Sequence, residues 1–180
     1  MGQREPSDPA RRPGRRAGRG AVRLTHLDER GRARMVDVGG KPETERTATA
    51  EGAVKMSREA FDLVAAQAVA KGDVLAVAEV AGIMGAKRTG DLIPLCHPLG
   101  LDLVEVEAQL APELPGVRIT AVAKVLGRTG VEMEALTAVA VACLTVYDMV
   151  KAVDREMAIE EVRLVQKTGG TRGDWRRPEA

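Results

Sequence analysis

Leu101-Asp-Leu-Val-Glu-Val-Glu-Ala-Gln-Leu110 and Val117-Arg-Ile-Thr-Ala-Val-Ala-Lys-Val125 place apolar residues at alternate positions, and Ala111-Pro-Glu-Leu-Pro-Gly116 between them has turn chemistry. Two strands that follow each other this closely predict an antiparallel pair. In the second, Val117, Ile119, Ala121, Ala123 and Val125 line one face. The first changes phase at Leu103-Val104, the mark of a bulge or of a strand buried on both faces.

Upstream, Thr44 to Met56 alternates Thr, Glu or Arg with Ala or Val, a strand exposed on one face. Ser57 then caps a helix running through Phe61, Leu63, Val64 and Val69, with a stop at Lys71-Gly72. Asp73 caps a second helix, Val74 to Ala86, which is apolar on nearly every side and is therefore expected to be buried. Downstream, the longest helix is expected from near Val131 to near Asp154. Its apolar stripe comprises Leu136, Val139, Ala140, Cys143, Leu144, Tyr147 and Val150, and Ile159 to Gln166 forms the last strand. The order strand, helices, strand, strand, helix, strand predicts an α+β fold. It is the split β-α-β arrangement of ferredoxin-like domains, with an antiparallel sheet and helices packed on one face.

The 180 residues suit one compact domain, expected over 23–175, between an Arg-rich tail over 1–22 and a short tail over 176–180. Apolar residues make up 44% of the chain, but with one Phe, one Trp and one Tyr the core must be built from Val, Leu, Ile and Ala. Arg4, Arg11, Arg12, Arg15, Arg16 and Arg19 crowd the first tail among Pro and Gly, a composition that predicts disorder. That tail suggests nucleic-acid binding, but the scarcity of stacking aromatics and the neutral remainder oppose it. There is no secretory apolar stretch, and the most apolar run, Ala135 to Val146, is short for a bilayer. The expectation is a soluble cytoplasmic protein bound to neither nucleic acid nor membrane. Cys96 and Cys143 lack metal-ligand spacing and read as reduced thiols. A zinc deaminase using them with His97 would need a His-x-Glu and Cys-x-x-Cys signature, which is missing.

Several polar residues do not fit a core role. Helical periodicity sets Lys151 near the middle of the long helix's apolar stripe and Asp148 at its border. Either they form a structural ion pair, or a carboxylate and an ammonium share a cleft where proximity tunes proton transfer. Leu92-Ile-Pro-Leu-Cys-His-Pro-Leu99 is stiff and apolar around His97, which is either a structural histidine or one presented to a ligand. Lys87 and Arg88 close the second helix; they stabilise its C-terminus or, with Lys71, bind phosphate. Glu132 and Glu134 flank Met133 at the start of the long helix, where acids favour the helix dipole or read the donor edge of a guanine-like or pterin ring. Lys167-Thr-Gly-Gly-Thr-Arg-Gly-Asp174 resembles a phosphate-binding loop without P-loop spacing.

From Leu24 to Trp175 these segments together resemble the cyclic pyranopterin monophosphate synthases, the C component of molybdenum-cofactor biosynthesis. The resemblance rests on Met35-Val-Asp-Val38, Lys71-Gly-Asp73, Ala86-Lys-Arg-Thr89, Leu92 to Leu99, Thr129 to Thr137, Tyr147-Asp-Met149 with Lys151-Ala-Val153, and Lys167-Thr-Gly-Gly170, in one order and spacing. It implies a lyase acting on a cyclised GTP derivative, without a cofactor or metal. Asp148 would be the central acid/base residue with Lys151 and Lys71 as partners. Leu95, Cys96, His97, Met133 and Glu134 would bind substrate, with Glu132, Lys87 and Arg88 as further contacts. The resemblance also implies a homohexamer, a trimer of dimers with active sites near subunit interfaces. Gly90, where a bulky residue is common, and Arg128, where Lys is frequent, depart from the pattern.

Overall fold

A computed structural model describes residues 31–171 and 173–178; the Arg-rich tail lies outside them. The elements are β1 (Thr44–Lys55), α1 (Arg58–Ala65), α2 (Val74–Lys87), α3 (Thr89–Leu92), β2 (Leu103–Ala111), β3 (Gly116–Gly127), α4 (Glu132–Val150), β4 (Ala158–Thr168) and β5 (Trp175–Arg176). The sheet runs β2-β3-β1-β4-β5, antiparallel throughout. Its first four strands have the predicted ferredoxin-like split order.

The hairpin forms as expected, in one unbroken register from Leu103↔Lys124 to Ala111↔Gly116. No bulge occurs at Leu103-Val104. Leu101 packs on the core from the preceding loop, whereas Leu103 begins the strand and is exposed. The inward line of β3 is the predicted one, Val117 to Val125, and it meets Ala48, Ala50 and Val54 of β1 in the core.

α4 lies over that face and buries Ala135, Ala138, Val139, Ala142, Cys143, Val146 and Val150. The stripe is rotated from the expected one. Leu144 is 59% exposed, and Leu136, Ala140 and Tyr147 are only partly covered. The smallest side chains let the helix come close to the sheet, which decides the buried face more than side-chain size does. α4 also stops at Val150 rather than near Asp154. The Asp154 carboxylate accepts the Ser57 and Glu156 N–H groups at 2.7 and 2.8 Å, tying the outgoing turn to the start of α1. α4 has the length and a mean hydropathy (1.6) of a bilayer-crossing helix, more than the run Ala135 to Val146 alone indicates. Because 56% of it is buried inside the protein, core packing accounts for that hydropathy.

α2 packs on α4 through glycines. A Cβ on Gly85 would come 2.7 Å from Val141 Cγ2, and one on Gly82 3.0 Å from the Ala138 carbonyl oxygen. The expectation of a fully buried α2 is not met, because this close approach turns its larger residues outward. Val77, Val80 and Met84 are 44%, 59% and 54% exposed.

α1 caps at Ser57 as expected, with Ser57 Oγ accepting the Ala60 N–H, but it ends at Ala65 instead of Val69. Gln67 takes a left-handed φ of 52°, breaking a run that local propensity would continue. β4 carries two register shifts against β1. β5 and the single turn α3 were not expected. β5 pairs Lys167 with Trp175, and the Arg177 N–H donates to the Val165 carbonyl.

Gly85→Val should force α2 away from Val141 and cost about 1–3 kcal/mol. Gly40→Ala, with open space around its Cβ, should be nearly silent. Chemical denaturation of both variants checks the contrast.

Candidate active site

Chain segments converge at one end of the sheet around a cleft of about 350 Å³. The loop after α3 supplies Leu95, Cys96 and His97, and the first turn of α4 supplies Glu132, Met133 and Glu134. Six of the expected substrate-binding residues are thus brought together. The cleft also contains Lys167 of β4, from the segment that resembled a phosphate-binding loop, Arg128, one of the two departures from the family pattern, and Arg46 of β1 and Lys41, which the sequence reading did not single out. Arg46 carried a legible signal, since it sits in phase with inward-facing Ala48 and Ala50, where an apolar residue belongs.

Arg46 is only 8% exposed, and its Nε has no hydrogen-bond partner among the described residues. A buried guanidinium with an unused donor is a strong anion site. Gly169 and Gly170, at φ 83° and 84°, press their backbone against the Glu45 carbonyl and the Arg46 guanidinium. A Cβ at either position would collide, so the Lys167-Thr-Gly-Gly170 segment is built to pack on Arg46.

Lys167 pairs with Glu132 at 3.3 Å. Glu134 is 4% exposed, and burial, with the Glu132 charge adding to it, raises its carboxyl above the usual range. Burial also raises the Cys96 thiol, and Glu134 adds to that shift. Cys143 lies in the core against Gly52, and burial pushes its thiol up to about 12. Among the described residues no group of three or more His, Cys, Asp or Glu could hold a metal ion.

The expected catalytic residues lie elsewhere. At the far end of α4, Asp148 Oδ1 accepts from Lys151 Nζ at 2.6 Å and Oδ2 from Lys71 Nζ at 2.7 Å. Lys71 also donates to the Asp148 carbonyl at 2.7 Å. All three side chains are about half exposed. Lys151 therefore does not interrupt the apolar stripe; it is the C-cap, one residue beyond the last helical turn. The two lysines, Lys151 first, hold the Asp148 carboxyl at about 2 instead of the ordinary 3.8. From Glu132 to Asp148 the helix rises about 24 Å, so the triad and the cleft stand at opposite ends of α4.

Lys87 lines a separate cavity of about 70 Å³ with Gly90, Asp91 and Glu134, whereas Arg88 lines neither cavity. The Gly90 departure has a local cause, since a Cβ there would meet Pro98 Cα at 3.2 Å. Arg128 pairs with Glu43 at 3.5 Å and donates to the Gly39 carbonyl, holding the segment before β1 over the cleft.

This fold and cleft define a ferredoxin-like α+β domain with a polar cleft lined by cations and carboxylates. The MoaC family model matches residues 35–170. Proteins of Brucella ovis and Brucella melitensis are 60% identical over 153 residues, 85% of this chain and 93% of theirs, and one of Brucella canis is 59% identical over the same span. All three are named cyclic pyranopterin monophosphate synthase. The chain belongs to the MoaC family.

A carboxyl whose folded value is depressed stabilises the fold above its unfolded value and loses that contribution as pH falls, here from about pH 4 toward 2. In ¹³C NMR titration Asp148 should remain ionised to about pH 2. Lys151→Met or Lys71→Met should move its midpoint upward.

Proposed function

We propose that this protein is a lyase converting (8S)-3′,8-cyclo-7,8-dihydroguanosine 5′-triphosphate to cyclic pyranopterin monophosphate with release of pyrophosphate, an early step of molybdenum cofactor biosynthesis. The observation that carries the reading is one cleft holding a buried, donor-rich Arg46 and Lys167 beside Glu132, Glu134 and His97. Cations suit a triphosphate, and paired carboxylates suit the N–H edge of a guanine-derived ring. The names of the Brucella relatives agree with this chemistry.

Two tasks face the protein. Rebuilding the ring system requires repeated proton transfers, and closing the cyclic phosphate joins an internal hydroxyl oxygen to the α-phosphorus as the bond to pyrophosphate breaks. In this reading Asp148 and Lys151 shuttle protons and Lys71 assists. Arg46, Lys167 and His97 orient the phosphates, with cations stabilising the departing charge. Leu95, Cys96, Met133 and Glu134 enclose the ring; Glu132, Lys87 and Arg88 are further contacts. The scheme invokes no cofactor and no metal.

The separation of triad and cleft along α4 leads us to a shared site, in which one protomer's triad closes over its neighbour's cleft. A homohexamer arranged as a trimer of dimers would supply such interfaces. The outward Val80, Met84 and Leu144 offer apolar surface for association. The assembly would work in the cytoplasm, away from membranes and nucleic acid.

Given the cyclised substrate, Asp148→Ala, Lys151→Ala and Lys71→Ala should each lower turnover by about 100-fold or more, measured as pyrophosphate and pterin formation. Retained turnover in all three would overturn the assignment. Mixed assemblies of Asp148→Ala and Arg46→Gln protomers should regain activity that neither variant has alone, because some shared sites escape both substitutions. No recovery in verified mixed assemblies would mean that each protomer works by itself.

A further inference from the structure

Glu132 and Lys167 are paired at 3.3 Å with side chains 31% and 25% exposed, so the pair is only partly screened by water. Lys167 stands opposite Ala48 in the β1–β4 register, and Arg46 is two residues from Ala48 on the same face. Diagonal neighbours of this kind lie about 7–8 Å apart, within reach of long side chains. An anion held by Arg46 is therefore in reach of the Lys167 ammonium. Arg46 has a buried Nε without a partner among the described residues, so it is the group that draws the anion first.

Lys167 cannot serve a phosphate and Glu132 at full strength together. Once it turns to the phosphate, Glu132 has no counter-ion in this contact and adds its charge to the neighbourhood of the buried Glu134. Two acceptor carboxylates then need donors, and the N–H edge of a guanine-type ring provides them. Resting on the reading of the cleft given above, we infer that Lys167 is a two-position cation that couples the phosphate and ring subsites. Phosphate binding takes it from Glu132 and so frees Glu132 to bind the ring. The device favours ligands that carry both parts over free phosphates or free nucleosides, and thermodynamic linkage makes the coupling reciprocal.

The test is calorimetry on the intact protein at fixed ionic strength, using guanosine and tripolyphosphate separately and each in the presence of the other. In the wild type, each should tighten the other's binding by about fivefold or more. Lys167→Met should bind guanosine alone more tightly than the wild type and tripolyphosphate more weakly, with no coupling left. Glu132→Gln should do the opposite: tighter tripolyphosphate, weaker guanosine, again without coupling. Circular dichroism establishes that both variants are folded. Independent binding in the wild type, or undiminished coupling in the folded variants, overturns the inference while leaving the cleft assignment standing. If guanosine binds to no form of the protein, the assignment of the ring subsite fails, and the coupling fails with it.

Discussion

The close seating of α4 against both the sheet and α2 governs the rest of the molecule. It depends on small residues: Ala48, Ala50, Ala121 and Ala123 below the helix, and Gly82 and Gly85 beside it. In a core almost without aromatics, stability comes from many short contacts at high packing density, and little volume is left to yield. One consequence is chemical. A continuous 19-residue helix holds Glu132 and Glu134 at one end and Asp148 at the other, and it fixes their separation.

The two ends have opposite electrostatic character. At the cleft, Arg46 and Glu134 are more than nine-tenths buried, so each charge interacts strongly with whatever enters. At the far end, water screens the Lys71–Asp148–Lys151 ion pairs, and they add little to stability. In the shared site proposed above, a second protomer stacked on the apolar surface of α2 and α4 would desolvate the exposed lysine–aspartate triad and bring it to the charged cleft.

Element order was legible because each strand and helix carries its own period and stop signals. Ser57 and Asp73 cap where expected, with side chains accepting from Ala60 and Ala76. The misreadings have two causes. The rotated face of α4 and the exposed side of α2 depend on partners distant in sequence, which local periodicity does not see. The early end of α1 is a local stop, closed by Ala66, Gln67 and Ala68 N–H groups donating back to Asp62, Val64 and Leu63, and the strand at Trp175 pairs with Lys167 only eight residues earlier; both lie outside the apolar periodicity from which the elements were read. At the site, the Pro-bracketed His97 segment and the Glu132-Met-Glu134 turn could be picked out as chemically unusual, and Arg46 broke the strand's alternation without being singled out.

The sequence by itself determined the α+β class, the split strand order, the family and six of the residues that line the cleft, Leu95 to His97 and Glu132 to Glu134, because periodicity, capping and motif spacing are local properties. Only the tertiary structure decided that Arg46 and Lys167 join those residues and that Gly169 and Gly170 hold Arg46 in place. It also decided that the lysine–aspartate triad stands a helix length away from the cleft. Those are distances between segments far apart in the chain, and they are set by how closely small side chains let helix and sheet approach.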